Sequence, residues 1–317
     1  MSRPLVLLDS ASLYFRAYYA TVRSLPDAMV APDGTPINAV RGFADTIARI
    51  LTERRPARLV ACLDADWRPA FRVRALPTYK THRVADPANN VEEVPDWLTP
   101  QIPIILDLLD AVGLATAEAA GYEADDVIGT LAHREATDPV EVVTGDRDLF
   151  QVVRDEPTPA SVVYVGRGWA KAEVLGPREL AERYGLPPEN SGPAYADMAL
   201  LRGDPSDGLP GVAGVGEKTA AKLITRFGSL DGLLAAAAAG DKLVPLRVKT
   251  ALADAAKYVA AAPLVVRVAL DADVIMDRPD TVPTEPRDLD RVRALQEKWD
   301  LSTSVDRLLA ALPAAHA

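Results

Sequence analysis

The chain has 317 residues, 49% hydrophobic and 25% charged, with a formal net charge of −10, which fits a globular protein of one large or two moderate domains. One cysteine, Cys62, and three histidines, His82, His133 and His316, exclude a disulfide framework and speak against a Cys/His zinc site. The four aliphatics at 5–8 are too few for a signal peptide and no later apolar run reaches the length of a membrane span, so a cytoplasmic location is expected.

In chain order, PLVLLD reads as a strand ending on Asp9, and residues 40–53 carry a helical period. RLVACLD is a second strand ending on Asp64, with Cys62 as a small core residue inside it. Residues 67–85 contain no acid, while Arg68, Arg72, Arg74, Lys80, His82 and Arg83 are interleaved with Trp67, Phe71 and Tyr79. Such a stretch suits phosphate contact and base stacking; a solvated surface loop is the plainer alternative. Residues 77–103 turn rich in proline, asparagine and acid without a core-facing period, a long excursion from the core. Helical patterns at 102–112 and 125–134 follow, and then the strand-like VEVVTGD, which delivers Asp146. The alternation predicts an α/β fold with a mainly parallel sheet covered by helices, in which ligands bind beyond the carboxyl ends of the strands. From about Gly176 the chain reads as wholly helical, through PRELAERYG, residues 194–201, EKTAAKLITRFG, SLDGLLAAAAAG and LDRVRALQEKW. The boundary falls between 167 and 177, which gives an α/β core at 1–170 and a helical region at 171–317.

Nine acids stand in five clusters where apolar runs end: Asp9; Asp64; Glu123, Asp125 and Asp126 in GYEADDV; Asp146 and Asp148 in TGDRDLF; Asp204 and Asp207 in GDPSDGLPG. Carboxylates brought together repel and must be neutralised by protons or cations. Hard divalent ions, Mg²⁺ or Mn²⁺, do this best, and they are the equipment of phosphodiester hydrolysis. Each cluster has a plainer reading, a helix cap for GYEADDV and an acidic turn for TGDRDLF. A cap needs only one acid, however, and three separate strands bring acids to one edge. Much of the negative charge then belongs to one site, so the net charge argues only mildly against a nucleic-acid partner.

After Asp207, GVAGVGEKTA is a glycine-rich hairpin feeding a helix. Gly211, Gly214 and Gly216 permit close backbone approach to a phosphate, and Lys218 adds charge. No strand precedes it, which disfavours a dinucleotide site and favours helix-hairpin-helix contact with a DNA backbone.

GYEADDVIGTLA, VVTGDRDLFQ, MALLRGDPSDGLPGVAGVGEKTAAKLI and FRVRALPTYKTHR, within a similarity running from Leu5 to about Leu270, resemble the 5′ nuclease family: bacterial 5′–3′ exonucleases and flap endonucleases, including the N-terminal domain of bacterial DNA polymerase I. No polymerase region follows, as in the stand-alone form. The resemblance implies a PIN/resolvase-like core and a helix-two-turn-helix motif at about 200–227. It also implies a structure-specific 5′ nuclease that cuts flap, nicked or gapped DNA in replication and repair by a two- or three-metal-ion mechanism. All nine acids match the family's metal ligands. Arg16, Lys80 and Arg83 match residues that grip the scissile phosphate, and Tyr79 matches an aromatic that stacks on a base. Arg72, Gly214, Gly216, Lys218, Thr219 and Lys222 are expected to contact DNA, and the backbone carbonyls near Val212 and Val215 to hold K⁺. The excursion at 77–103 corresponds to the family's helical arch. A monomer on the nucleoid, working with a DNA polymerase or ligase, is expected. Ser10, Gly208 and Arg74 stand where the family often has glycine, asparagine and glutamate, and none of these departures removes a ligand.

Three other readings fit less well. A catalytically silent DNA-binding protein would keep the hairpin and lose ligands, and none is lost. An aspartyl phosphatase with Asp9 as nucleophile wants a second aspartate two residues on, where Ala11 stands. A small RNase of the same core would lack the long helical half.

Overall fold

The computed structural model describes residues 3–21, 29–86 and 88–314; His316 and, within the excursion, Pro87 lie outside the described residues. PLVLLD forms β1 (Leu5–Asp9), which runs without a loop into α1 (Ser10–Thr21). α2 (Asn38–Arg54) leads to β2 (Arg58–Cys62), parallel to β1 with Asp9 level with Cys62. Then come α3 (Ala70–Ala75), a 3₁₀ turn (Thr81–Arg83), β3 (Val84–Asp86) and β4 (Val91–Glu92). α4 (Gln101–Val112), β5 (Ala115–Glu118), α5 (Ala124–Arg134) and β6 (Val140–Thr144) follow. A 3₁₀ turn (Asp148–Val152) precedes β7 (Ala160–Tyr164) and β8 (Glu173–Leu175). The remainder comprises α6 (Pro177–Tyr184), α7 (Ser191–Arg202), α8 (Glu217–Phe227), α9 (Leu230–Ala238), α10 (Leu246–Asp254), α11 (Ala256–Ala261), α12 (Pro263–Val266), β9 (Ile275–Met276), α13 (Leu289–Trp299) and α14 (Ser302–Ala314).

The main sheet has seven strands in the order β8-β7-β6-β1-β2-β5-β9. Its inner strands are all parallel, and β8 and β9 close the edges antiparallel. From β1 the chain builds outward through β2 and β5, then crosses back to β6 and β7. The winding therefore reverses between β1 and β6, and in such sheets the crevice at the carboxyl ends there is the ligand site.

Because side chains alternate along a strand, β1 feeds both faces. Leu5 and Leu7 join one apolar cluster with Val60, Val142, Ile128 and the helices α7 and α8. Val6 and Leu8 join the other with Phe43, Ile47, Ile105 and Leu308. Fully burying each such side chain is worth roughly 1.5–3 kcal/mol, so a strand covered on both sides is held rigidly and can aim what lies at its end. Among the described residues no helix is long and apolar enough to cross a membrane.

Two expectations are corrected. The region after Gly176 is not wholly helical: β9 pairs with β5 at the sheet's far edge, and α13 and α14 pack on α4 and α2. A two-residue strand with both side chains exposed leaves no periodic signal. The excursion is not a helical arch either. β3 and β4 form an antiparallel pair whose turn carries Asn90 in the left-handed region, at φ 52°. Asparagine tolerates that conformation, and the prolines around it end helices rather than extend them.

Candidate active site

Asp9 is the last residue of β1, and Asp64 and Asp146 lie two residues beyond the ends of β2 and β6. Asp9 is buried, accepting from the Thr144 hydroxyl at 2.5 Å and the Ser12 N–H at 3.2 Å. Thr144 Oγ1 in turn accepts from the Asp146 N–H at 2.8 Å, so the ends of β1 and β6 are stitched together by one hydroxyl. Ser12 does the same from α1, its hydroxyl accepting from Gly145 N–H at 3.0 Å. Asp64 accepts from the Ala124 N–H at 2.8 Å, which fixes the start of α5 over the same edge.

These segments enclose a cavity of about 330 Å³ lined by Asp9, Asp64, Glu123, Asp125 and Asp146 together with Lys80, Arg83, Trp67 and Phe15. A second cavity shares Ser12 and Asp146 with it and adds Asp148, Asp204, Arg202 and Glu217. Five of the nine acids thus face one space and Asp148 and Asp204 the adjoining one. Asp207 stands beside both, its carboxylate accepting from Arg83 at 2.9 Å. As the side chains stand, no three acids among the described residues are close enough together to hold an ion.

Burial, and then neighbouring carboxylates, raise the pKa of several of these acids. Burial, then Asp146 and Asp64, push Asp9 up to about 7 against the bond from Thr144. Burial, with Asp9 and Asp146 next, pushes Asp125 well above the carboxylate range, and burial with Asp146 and Asp207 does the same for Asp148. An all-oxygen set of acids that hold protons so tightly is matched chemically to hard divalent cations, which displace protons and restore the charged form.

Glu123 lines the cavity and is also a hub. It accepts from Lys80 Nζ, from a guanidinium N–H of Arg72 and, at 2.7 Å, from the Tyr79 hydroxyl. Lys80 has φ 47°, and its N–H donates to Asp207 carbonyl oxygen at 3.0 Å. Thr78 donates to Gly208 carbonyl oxygen at 2.9 Å and Arg83 to that of Ser206 at 3.0 Å, so the basic segment is docked along the Asp204–Gly208 turn. Gly208 permits this: at φ 73° a Cβ there would lie 2.2 Å from Thr78 oxygen.

Other expected residues lie elsewhere. Asp126 is fully buried, with both oxygens on Arg72 at 2.7 and 2.8 Å and further bonds from the Ala269 and Glu123 N–H groups. Arg72 is buried with it, and Tyr79 is 3% exposed, so neither presents a surface to DNA. Arg72 and Tyr79 pack inward where α3 docks on α12, a contact that residue type alone does not reveal, while Arg74 and His82 stay exposed. Arg16 donates to Gly166 carbonyl oxygen at 2.6 Å and lines a separate cavity along α1 with Arg49 and Thr46. On the hairpin, Gly214, Gly216, Lys218 and Lys222 are exposed and Thr219 half-buried. A Cβ at Gly214 or Gly216 would meet nothing within 4 Å, which leaves the backbone open to a bulky ligand. Val212 and Val215 point into the core, and the Val212 carbonyl already accepts from Val215 N–H at 2.9 Å. The structure adds Glu92 and Glu93, which β4 brings to the cavity wall. The VEEV pattern could have drawn notice to them, but nothing in it signals that the hairpin folds back.

A parallel sheet that gathers acids at its winding reversal, followed by a glycine-rich helical hairpin, defines a resolvase-like nuclease fold with an appended helical element. The family model for the 5′-3′ exonuclease N-terminal resolvase-like domain matches residues 4–185, and that for the 5′-3′ exonuclease C-terminal SAM fold matches 191–289. The chain belongs to the 5′–3′ exonuclease family. It is 55% identical to a 5′-3′ exonuclease of Mycobacterium tuberculosis, with 98% of each chain covered. It is 52% identical to one of Streptomyces coelicolor, over 98% of this chain and all of the relative. DNA polymerase I of Mycobacterium bovis is 37% identical over 98% of this chain, which spans 32% of that protein. Among solved structures, bacteriophage T5 5′-exonuclease with bound zinc shares the fold at TM-score 0.61 and 17% identity, with 99% of this chain and 98% of that one covered.

Proposed function

We propose that this chain is a structure-specific 5′ nuclease whose oxygen-lined cavity at the β1/β6 reversal is the hydrolytic centre. The observation that carries the reading is the meeting of Asp9, Asp64, Asp125 and Asp146 with Lys80 and Arg83 around one space. Asp9, Asp64, Glu123, Asp125, Asp146, Asp148, Asp204 and Asp207 would hold two or three Mg²⁺ or Mn²⁺ ions, with Asp126 holding the frame behind them. Such ions, when bound, would supply an activated water and offset charge on the leaving oxygen. The T5 enzyme's divalent ions are consistent with this use.

The chain's own groups do the rest. Lys80 and Arg83 stand at the cavity wall and attract the phosphate, and Lys80 stabilises the negative charge that grows on it. Lys80→Ala is expected to slow single-turnover cleavage by about 100-fold while changing the Kd for DNA by less than about 10-fold. Equal losses in both would remove Lys80 from the chemistry. The exposed glycines of the hairpin, with Lys218 and Lys222, would contact the duplex backbone, with K⁺ on the carbonyls of Val212 and Val215 as a bridge. In this division of labour residues 1–170 carry the chemistry and 171–317 grip the duplex. Fusion of a similar region to a polymerase in DNA polymerase I supports work alongside a polymerase or ligase on flap, nicked or gapped DNA, and a monomer suffices for it.

The test uses end-labelled flap, nicked and single-stranded substrates with Mg²⁺, Mn²⁺ or EDTA. Release of the 5′ strand at the junction, abolished by EDTA, is expected. Metal-independent cleavage, or none, sinks the proposal.

A further inference from the structure

Four consecutive residues at the end of α12, 266–269, form a strap behind two of the carboxylate clusters. Val266 carbonyl oxygen accepts from Gln151 Nε2 at 3.0 Å, and Val268 N–H donates to Gln151 Oε1 at 3.0 Å. Ala269 N–H donates to Asp126 at 2.8 Å, and its carbonyl oxygen accepts from the Thr130 hydroxyl at 3.1 Å. Arg267, between them, donates to Asp197 on α7 at 2.7 Å. The strap is therefore bonded both to α5, which carries Asp125, and to the 3₁₀ turn Asp148–Val152. That turn needs support, because 3₁₀ segments have poorer hydrogen-bond geometry than α-helices. Among the described residues nothing donates a hydrogen bond to the Asp148 carboxylate, so the turn's backbone sets its direction. Gln151 Nε2 also donates to the Asp148 carbonyl oxygen at 2.8 Å. One amide thus spans from the backbone of Asp148 to the strap, with its nitrogen and its oxygen both engaged.

We infer that Gln151 is a positioning residue: through the 266–269 strap it fixes the Asp148 turn relative to α5, and so sets the spacing between the Asp125 and Asp148 ends of the acidic site. This rests on the nuclease reading above and gives the segment after α12 a part in it besides contact with DNA. Removing a group that stands behind a metal ligand typically costs 10–100-fold in metal affinity or activity. Gln151 acts on the backbone of Asp148 rather than on its carboxylate, which puts the expected loss at the lower end, about 10-fold.

The experiment uses Gln151→Met, which keeps the side chain's length, removes its amide and has room, since Gln151 borders a cavity of about 420 Å³. Mn²⁺ binding to EDTA-stripped protein is read from the EPR signal of the free ion, beside the Mn²⁺ dependence of single-turnover flap cleavage and the Kd for flap DNA in EDTA. Mn²⁺ binding is expected to weaken by about 10-fold, the half-saturating Mn²⁺ for cleavage to rise alike, and excess Mn²⁺ to recover most of the rate. The DNA Kd should stay within about twofold. Unchanged Mn²⁺ binding with unchanged half-saturation overturns the inference. Leu252→Ala, a truncation in the core on α10, controls for lost stability: it should melt at a lower temperature and bind Mn²⁺ as the unaltered protein does. A shift in Mn²⁺ binding equal to that of Gln151→Met also overturns the inference, because loosening the fold anywhere would then suffice. Should Gln151→Met fail to fold, as read by its melting curve, Gln151→Asn carries the same test with an amide one methylene short of its partners. If the unaltered protein neither binds Mn²⁺ nor cuts, the nuclease reading has failed rather than the role of Gln151.

Discussion

An Asp125→Asn protein is expected to bind flap DNA as the unaltered protein does and to cut it more than about 100-fold more slowly, since even residues standing behind metal ligands are worth 10–100-fold. Asp125 is on the first turn of α5, facing Asp9 and Asp146 across the cavity, and no basic side chain among the described residues bonds to it. Its carboxylate therefore has no structural partner to lose, and asparagine fills the same volume without the charge. Single-turnover rates with Mg²⁺ or Mn²⁺, set beside Kd in EDTA, separate the two effects. Full activity would remove Asp125 from the site.

Arg72→Ala should have the opposite profile. Arg72 is buried, with its guanidinium on Asp126 and Glu123 and within 3.4 Å of Arg267 carbonyl oxygen. Its removal leaves Asp126 in the interior with no counter-charge and Glu123 with Lys80 alone, and breaking such a pair costs about 3–5 kcal/mol, a fall in melting temperature on the order of 10 °C. Asp126→Asn should behave alike, losing stability first, whereas the cavity acids lose turnover first. Thermal melts of the two sets in EDTA check the division: if Asp126→Asn melts like the unaltered protein, the buried triad is not what holds α3 to α5.

Strand ends were legible in the sequence because PLVLLD, RLVACLD and VEVVTGD each place an acid just where an apolar run stops, and a parallel sheet turns that into one edge. α1 was not: SASLYFRAYYAT follows Asp9 with no loop, and its aromatics mask any polar face. β5 alternates, but over only four residues whose apolar members are alanines, and β7 is a short run without alternation. Within the site, residue type and spacing placed Asp9, Asp64, Asp125 and Asp146 around one cavity. They could not distinguish Asp126 from Asp125, one residue away, because helical rotation alone turns one inward to Arg72 and the other toward the cavity. Tyr79 and Arg72 misled for a related reason, since an aromatic–cation pair suits a nucleic-acid surface and a buried ion pair equally well.

The return of the C-terminal segments to the first half has a consequence for how the molecule is made. β9 seals the β5 edge and α14 lies against α2, so the sheet that carries Asp9 lacks an edge strand and part of its cover until the chain from Ile275 onward exists. On a ribosome, where chains emerge N-terminus first, the cluster of mutually repelling acids would be assembled before its scaffold is closed. The Arg72–Asp126 pair, both members of which lie in the first 126 residues, is available early to offset that repulsion. Shortening the chain from its C-terminal end should therefore harm the sheet it returns to as much as the region it is cut from.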